Sequence, residues 1–332
     1  MACSTPIDSP GQEPVATIAA AVSVKTETPT AVPTLTAIPT PTPTTIPTAE
    51  LPYNRMFVGV YDWDRVFDEL SMDVEHDFIS WDQPEKISQF ILAARTAGRV
   101  PLVTIEPWTT VAGNVLLDTG VITDGRALND AIIQRNAWAV KAHHPQTVLI
   151  RFAHEMELVG NYPWSQSDYA SYVAAYRHYH DVFEYLGVTN VRWIWSPAGN
   201  ANSSDYYPGD EYVDYIGVTV LSHGELAFKA GDLLGSSFAT IFNDRYRVVS
   251  GYEKPIIVAE MGVFPALAVE SSDTYKAAWL KAAFAVFPDY PLLHGVVYFN
   301  AVNAPTNSEW GRPDWRIGAD MLWRPEEMPE LK

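Results

Sequence analysis

The chain has 332 residues and a formal net charge of −18. A charge of this sign and size repels nucleic acid and anionic membrane surfaces, so neither is expected as a partner, whereas a neutral polysaccharide would be indifferent to it. The single cysteine, Cys3, excludes an internal disulfide. No stretch has the length and apolar character that predict a membrane-spanning helix.

The first fifty residues are unlike the rest in composition. Between residues 28 and 48, fifteen of twenty-one are Thr or Pro, a composition that favours extended backbone and buries little apolar surface. We predict a disordered spacer over residues 1–50. Cys3 ahead of this spacer resembles the lipid-bearing cysteine of a bacterial lipoprotein, and an incidental cysteine is the alternative. We therefore expect a secreted protein or one tethered to the outer cell surface.

Beyond the spacer, apolar strand patterns alternate with helical patterns, which predicts one domain over residues 51–332. Strands are predicted at 56–61, 77–81, 100–106, 148–150, 191–197, 213–221, 254–262 and 294–300. Helices are predicted at 86–94, 127–142, 168–185, 234–249 and 272–287. Eight strands alternating with helices favour a closed (β/α)₈ barrel. An open doubly wound sheet would carry a Gly-rich loop after its first strand, but Gly59 stands alone there.

Two of the predicted strands end in a glutamate. One begins as an apolar run at Val148 and then turns polar through Arg151, His154 and Glu155, and another ends at Glu260. The C-terminal ends of barrel strands face the catalytic mouth. Two carboxyl groups that flank one sugar ring are what glycoside hydrolysis requires. The pair therefore predicts a glycosidase.

Other reaction classes fit the sequence less well. The adjacent histidines at 143–144 and the pair at 178 and 180 lack zinc-ligand spacing, so no metal site is expected. His154 followed by Glu155 is not the His-Glu-x-x-His motif of metalloproteases. An esterase would need a Gly-x-Ser-x-Gly elbow, which is absent from the sequence. No cofactor is expected, and the chain is expected to be a monomer.

Several segments resemble glycoside hydrolase family 26. The run from Arg151 to Met156 and the following Tyr162-Pro163-Trp164 are similar to the acid/base segment of that family. Further likeness lies at residues 193–197, 207–217, 255–262 and 314–316, so that it extends from Met56 to about Trp323. The order of these segments makes the resemblance much more specific than the tripeptide His-Glu-Met alone.

The resemblance implies a retaining endo-β-glycanase acting on β-1,4-mannan or mixed-linkage β-1,3-1,4-glucan, with β-xylan as a further possibility. It implies that Glu155 is the acid/base, that Glu260 is the nucleophile, and that His154 lies beside the sugar ring. Arg151 is expected to donate hydrogen bonds to substrate hydroxyls or to a carboxylate. In a retaining enzyme the two carboxyl groups lie about 5 to 5.5 Å apart.

The expected cleft also contains aromatic residues. Glu106-Pro107-Trp108 after the third strand resembles the glucanase-like members of the family. Trp81 and the following tryptophans are predicted as sugar-stacking platforms: Trp108, Trp164, Trp195 and Trp310.

Two positions depart from the family. Glu157 stands where an asparagine is frequent, and Leu221 stands where a tyrosine usually bonds the nucleophile. Because that tyrosine is missing, a non-catalytic carbohydrate-binding barrel is the alternative.

Overall fold

The computed structural model describes residues 51–108, 127–165, 167–223, 237–264, 272–302 and 313–332. Eight parallel strands close into a barrel in chain order. They are β1 Phe57–Asp62, β2 Val74–Ser80, β3 Val100–Glu106, β4 Val148–Phe152, β5 Val191–Trp195, β6 Tyr215–Ser222, β7 Ile256–Val263 and β8 Leu293–Asn300. The predicted (β/α)₈ fold is confirmed. The spacer and Cys3 lie outside the described residues, so predictions about them stay predictions.

Five α-helices surround the strands in the described part of the chain. They are α1 Pro84–Thr96, α2 Ala127–Lys141, α3 Tyr169–Tyr185, α4 Phe238–Val249 and α5 Ser272–Val286. Their starts follow from capping chemistry: Pro84 opens α1, and the Asp168 side chain accepts a hydrogen bond from the Ser171 amide at 3.2 Å. None of the described helices combines the length and the apolarity needed to cross a membrane.

The side chains inside the barrel change character along the strands. At the lower end, where the strands begin, eight buried apolar residues form a plug: Phe57, Val74, Val100, Leu102, Leu149, Ile194, Ile257 and Val297. On β3 the inward positions run from Leu102 through Thr104 to Glu106, so the interior becomes polar towards the C-terminal ends of the strands. The plug fills one end of the barrel, so reactive side chains are expected at the other end.

Candidate active site

Glu155 lies in a tight turn directly after β4. Ala153 and Glu155 both adopt left-handed backbone, with φ of 48° and 51°, which costs roughly 1 kcal/mol or more for each non-glycine residue. The turn is held because the Ala153 amide donates to the Ile105 carbonyl at 3.0 Å and the Glu155 amide donates to the Ser196 carbonyl at 2.8 Å. Such strain persists only where the surroundings enforce it, and here it fixes the position of one carboxyl group.

The Glu155 carboxyl group is held by two hydroxyl groups. Tyr162 donates its phenolic hydrogen to one carboxyl oxygen at 2.9 Å, and Thr219 on β6 donates to the other in a short contact. The residue is only 7% exposed. Both donors are neutral hydroxyl groups, and together they fix the position of the carboxyl group.

Glu260 reaches the same mouth because β7 contains an irregularity. Val218 pairs with Val258, but the next residue, Thr219, pairs with Glu260, so Ala259 is an extra residue in β7. Ile257 belongs to the interior plug, and regular alternation would have put Glu260 on the outer face with Val258. The bulge reverses that alternation and turns Glu260 inward.

A buried arginine holds the Glu260 carboxylate. Arg151 has no solvent exposure, and its Nη1 lies 2.7 Å from Glu260 Oε1. Its Nε donates to the Ser196 hydroxyl at 2.7 Å. Gly217 makes room for this arrangement, since a Cβ there would lie 2.5 Å from the Ser196 oxygen. Because Arg151 is fully buried, it bonds the carboxylate and does not present itself to a substrate hydroxyl, the other role considered for it.

The electrostatics of the two carboxyl groups are linked. Burial raises the pKa of Glu260 to about 7, the Arg151 charge opposes that rise, and the charges of Glu155 and Glu106 add to it. A buried guanidinium keeps its proton and requires an anionic partner. The bond from Arg151 therefore favours the negative charge on Glu260.

His154 lies in a cluster of aromatic rings that meet it at tilted or edge-on angles. Its ring centroid is 5.0 Å from that of Tyr162, 5.5 Å from Trp164 and 5.6 Å from Phe78. The residue is 2% exposed, and burial together with the Arg151 charge lowers the pKa of His154 well below its usual value. The imidazole is therefore neutral and supports Tyr162. Its predicted contact with the sugar stays a prediction.

The predicted sugar platforms are only partly at the mouth. Trp164 is 2% exposed, and Trp81 and Trp195 are 0% exposed, so none of them offers an open ring face, which corrects that prediction. Trp164 stacks on Tyr162 with centroids 4.8 Å apart and donates to the His154 carbonyl. Trp195 lies in the core against the rings of two tyrosines, Tyr207 and Tyr252.

Trp108 and Glu106 do lie at the mouth. Both are partly exposed, and the Trp108 indole nitrogen donates to Glu106 Oε2 at 2.9 Å. Burial raises the pKa of Glu106, and the bond from Trp108 and the Arg151 charge oppose that rise. The last predicted platform, Trp310, lies outside the described residues.

The partners of Glu155 were not predicted as site residues, and neither was the role of Glu157. Thr219 could have been predicted as a site residue because it lies two residues after Gly217 and therefore on the same inward face of β6. The buried Glu157 carboxylate accepts hydrogen bonds from the Gly199 amide at 2.9 Å and the Ser203 hydroxyl at 2.8 Å. The departure from the family at 157 thus anchors the loop after β5. In the described residues no cluster of His, Cys, Asp and Glu side chains is arranged to hold a metal ion.

Comparison with known proteins agrees with the family resemblance seen in the sequence. The sequence model of glycosyl hydrolase family 26 matches residues 52–286. The chain is 30% identical over 263 residues to Endoglucanase H of Acetivibrio thermocellus, a match that covers 75% of this chain and 26% of that protein. The chain thus spans about a quarter of the length of this curated relative.

Solved structures share the fold. GH26C from Muricauda sp. MAR_2010_75 matches with a TM-score of 0.57 at 14% identity, covering 74% of this chain and 79% of that one. A modular endo-β-1,4-mannanase from Cellulomonas fimi matches with a TM-score of 0.56 at 16% identity, covering 84% and 75%. A GH26 β-mannanase from Bacteroides ovatus matches with a TM-score of 0.54 at 15% identity, covering 74% and 81%. At these identities the likeness concerns the fold alone.

Proposed function

Because the chain belongs to glycosyl hydrolase family 26, we propose that it is a retaining endo-β-glycanase with Glu155 as acid/base and Glu260 as nucleophile. The observation that carries the assignment is the difference between the partners of the two carboxyl groups. A buried guanidinium bonds Glu260, whereas two neutral hydroxyls bond Glu155. The first setting favours the carboxylate that a nucleophile needs, and the second holds the acid/base residue by neutral hydroxyl groups.

In the first step Glu155 gives its proton to the glycosidic oxygen as the bond to the anomeric carbon breaks. The Glu260 carboxylate attacks that carbon, which forms a glycosyl ester with inverted configuration. The ester carries no charge, so a negative neighbour of Glu155 is lost at the moment when Glu155 has become a carboxylate. Glu155 then takes a proton from water, the water oxygen attacks the same carbon, and Glu260 is released. The second inversion restores the β configuration.

For the substrate we propose mixed-linkage β-glucan first, β-1,4-mannan second and β-xylan third. The relative with 30% identity is named an endoglucanase, and Glu106 with Trp108 at the mouth resembles the glucanase-like members of the family. Mannan rests on the family resemblance alone. This ranking is tested by incubating the protein with barley-type glucan, glucomannan and xylan and comparing the rates at which reducing ends are released.

The roles of the two glutamates can be tested by azide rescue. We expect Glu155→Ala and Glu260→Ala each to lower the hydrolysis rate on polysaccharide by about 10⁴-fold. With an activated aryl β-glycoside, azide should give the β-glycosyl azide with Glu155→Ala and the α-glycosyl azide with Glu260→Ala. Glu184→Ala, an exposed carboxylate on α3, serves as the control and should behave as wild type.

Three results would contradict the assignment. Exchanged anomers of the azide products would exchange the two roles. An initial α-anomer in NMR of the wild-type product would exclude retention. Polysaccharide binding with no reducing-end release from any substrate would favour the non-catalytic barrel that Leu221 suggested.

Attachment at the cell surface is a separate proposal that rests on the sequence. We propose that Cys3 carries a lipid and that the Thr/Pro-rich segment spaces the barrel from the membrane. Labelling of the protein with a fatty-acid analogue in bacterial cells, with Cys3→Ser as the control, tests it. Equal labelling of the two proteins would reject Cys3 as the attachment point.

A further inference from the structure

The most exposed tryptophan of the described residues lies at the rim of the mouth. Trp63 follows the last residue of β1 directly and is 73% exposed. Trp138, on α2 outside the barrel, is 53% exposed. A tryptophan side chain gains much from burial, so an open indole at the catalytic end of a barrel strand marks a contact surface. The catalytic machinery described above does not use it.

The backbone that carries Trp63 is fixed from the side of β8. Its amide donates to the Asn300 carbonyl at 3.3 Å. The neighbouring Asp62 carboxylate accepts from the Asn300 side-chain amide at 2.8 Å and from the Phe67 amide at 2.7 Å. These bonds tie the end of β1 to the end of β8 and close the turn that follows.

The other flank of the turn is fixed as well. The Asp64 carboxylate accepts from Arg316 Nη1 at 2.8 Å, and Arg316 is also bonded to Asp314. Arg65 takes left-handed backbone with φ of 58°, a conformation that a non-glycine residue keeps only when its surroundings impose it. The backbone that carries the open indole is thus fixed before any ligand arrives, so little backbone ordering entropy is lost on binding.

The strand register sets the distance between Trp63 and the reaction centre. Met261, next to Glu260, pairs with Tyr298 on β8, and Tyr298 pairs with Val60 on β1. Trp63 lies three residues beyond Val60, which is about 10 Å further along the strand direction, and two strands to the side. The backbone at Trp63 is thus offset from Glu260 both along and across the strands, and we expect a longer glycan to reach both residues.

An aromatic wall lies between the two points. Tyr61 and Phe299 stack with ring centroids 5.1 Å apart and an interplanar angle of 21°, and both are partly exposed. Phe78 meets the Tyr61 ring edge-on at 5.0 Å. Apolar ring faces thus line the mouth from its interior towards the rim on the side of β8, β1 and β2.

We propose that Trp63 forms a distal subsite, where its indole face stacks on a sugar residue of a β-linked glycan away from the bond that is cleaved. The half-exposed pair of Arg316 and Asp64 supplies polar groups for sugar hydroxyls at the same rim. The class of ligand rests on the proposed function. The location of the subsite rests on the exposure, anchoring and register of Trp63.

Kinetics with substrates of two lengths test the subsite. We expect Trp63→Ala to raise KM for the polysaccharide about three- to tenfold, as the loss of one stacking contact implies. The rate on a short aryl β-glycoside should not change, because that substrate cannot reach the rim. Trp63→Phe should lie between wild type and the alanine variant. Trp138→Ala removes a comparably exposed tryptophan elsewhere and should leave both substrates unaffected.

A binding measurement separates this proposal from the catalytic one. In the Glu260→Ala background, Trp63→Ala should reduce the retardation of the protein in gels that contain glucan or glucomannan. Equal retardation and an unchanged KM would overturn the subsite even if Glu155 and Glu260 prove catalytic. An equal loss on the short and the long substrate would also overturn it. Retardation that depends on Trp63 in a protein without hydrolytic activity would support the subsite while the catalytic proposal failed.

Discussion

The two ends of the barrel are made from the same eight strands, but their polar groups have different surroundings. At the mouth, the charges of Glu106 and Glu155 raise the pKa of Glu260, and the guanidinium of Arg151 opposes that rise. The backbone is strained there, and ring faces remain open. At the lower end an apolar plug fills the interior, and the polar groups beneath it pair with one another.

The lower end is closed by the terminal segments of the described domain. The Met56 amide donates to the Pro329 carbonyl at 2.8 Å, and the Leu331 amide donates to the Asn54 carbonyl at 3.0 Å. The Arg55 guanidinium forms two bonds, of 2.7 and 2.9 Å, with the Asp73 carboxylate. Polar groups that are satisfied by each other contribute stability but have no capacity left for a substrate. Substitutions at the mouth should therefore change kcat/KM, whereas substitutions at the lower end should change the free energy of unfolding.

The largest effect is expected at the mouth, from Arg151→Met. Removal of the cation takes away the charge that opposes the raised pKa of Glu260, so less of the carboxylate exists at neutral pH. We expect kcat/KM at pH 7 to fall about 10²- to 10³-fold and to recover as the pH is raised. The measurement is the pH dependence of kcat/KM on the best polysaccharide.

Arg151→Lys is the matched comparison for that prediction, since it keeps the charge and loses only the planar geometry. It should retain the wild-type pH dependence with a smaller loss of rate. Circular dichroism melting curves establish that both variants fold. If folded Arg151→Met shows the pH dependence of the wild type, the guanidinium does not control the charge of Glu260.

A smaller effect, on stability alone, is expected at the lower end from Asp73→Asn. The carboxylate accepts from Arg55 and from the Val58 amide at 3.0 Å, and the amide side chain cannot satisfy all three bonds. We expect the free energy of unfolding to fall by about 2 kcal/mol, measured by denaturant titration, with kcat/KM unchanged. Asp68→Asn, in the exposed pair with Arg65, should cost less than about 0.5 kcal/mol. A changed pH dependence of activity in Asp73→Asn would show that the two ends are coupled.

The sequence predicts the elements best where local signals agree. The predicted β3 has the observed bounds, Val100–Glu106, because an apolar run is enclosed by Gly98 and Pro107. The predicted β2 begins three residues late, since His76 and Asp77 interrupt its apolar pattern. His76 faces the polar interior and bonds the Thr104 hydroxyl at 2.7 Å, an environment that only the closed barrel creates.

The site could be predicted only as far as it follows from strand ends. Glu155 and Glu260 terminate apolar runs, so their positions were accessible from the sequence. The bulge at Ala259 that turns Glu260 inward depends on the pairing of β7 with β6 and β8. The sequence could not tell which tryptophans are open: Trp164, in the loop after β4, packs against Tyr162, whereas Trp63, directly after β1, is exposed.

The smallest effect is expected from Glu106→Gln, which tests whether the charge of Glu106 raises the pKa of Glu260. The proposed nucleophile, Glu260, must be ionised to attack, and burial raises its pKa to about 7, so kcat/KM should fall as the pH drops below about 7. The Glu106 charge adds to that rise. Its removal should lower the pKa of Glu260 and move the acidic limb of the profile to lower pH, by less than about one unit. The glutamine can still accept the Trp108 bond, so the geometry of this edge is kept.

Asp205→Asn, which neutralises an exposed carboxylate on the loop after β5, is the control and should leave the acidic limb in place. A limb that moves to higher pH, or moves equally in the control, would mean that the charge of Glu106 does not act on Glu260.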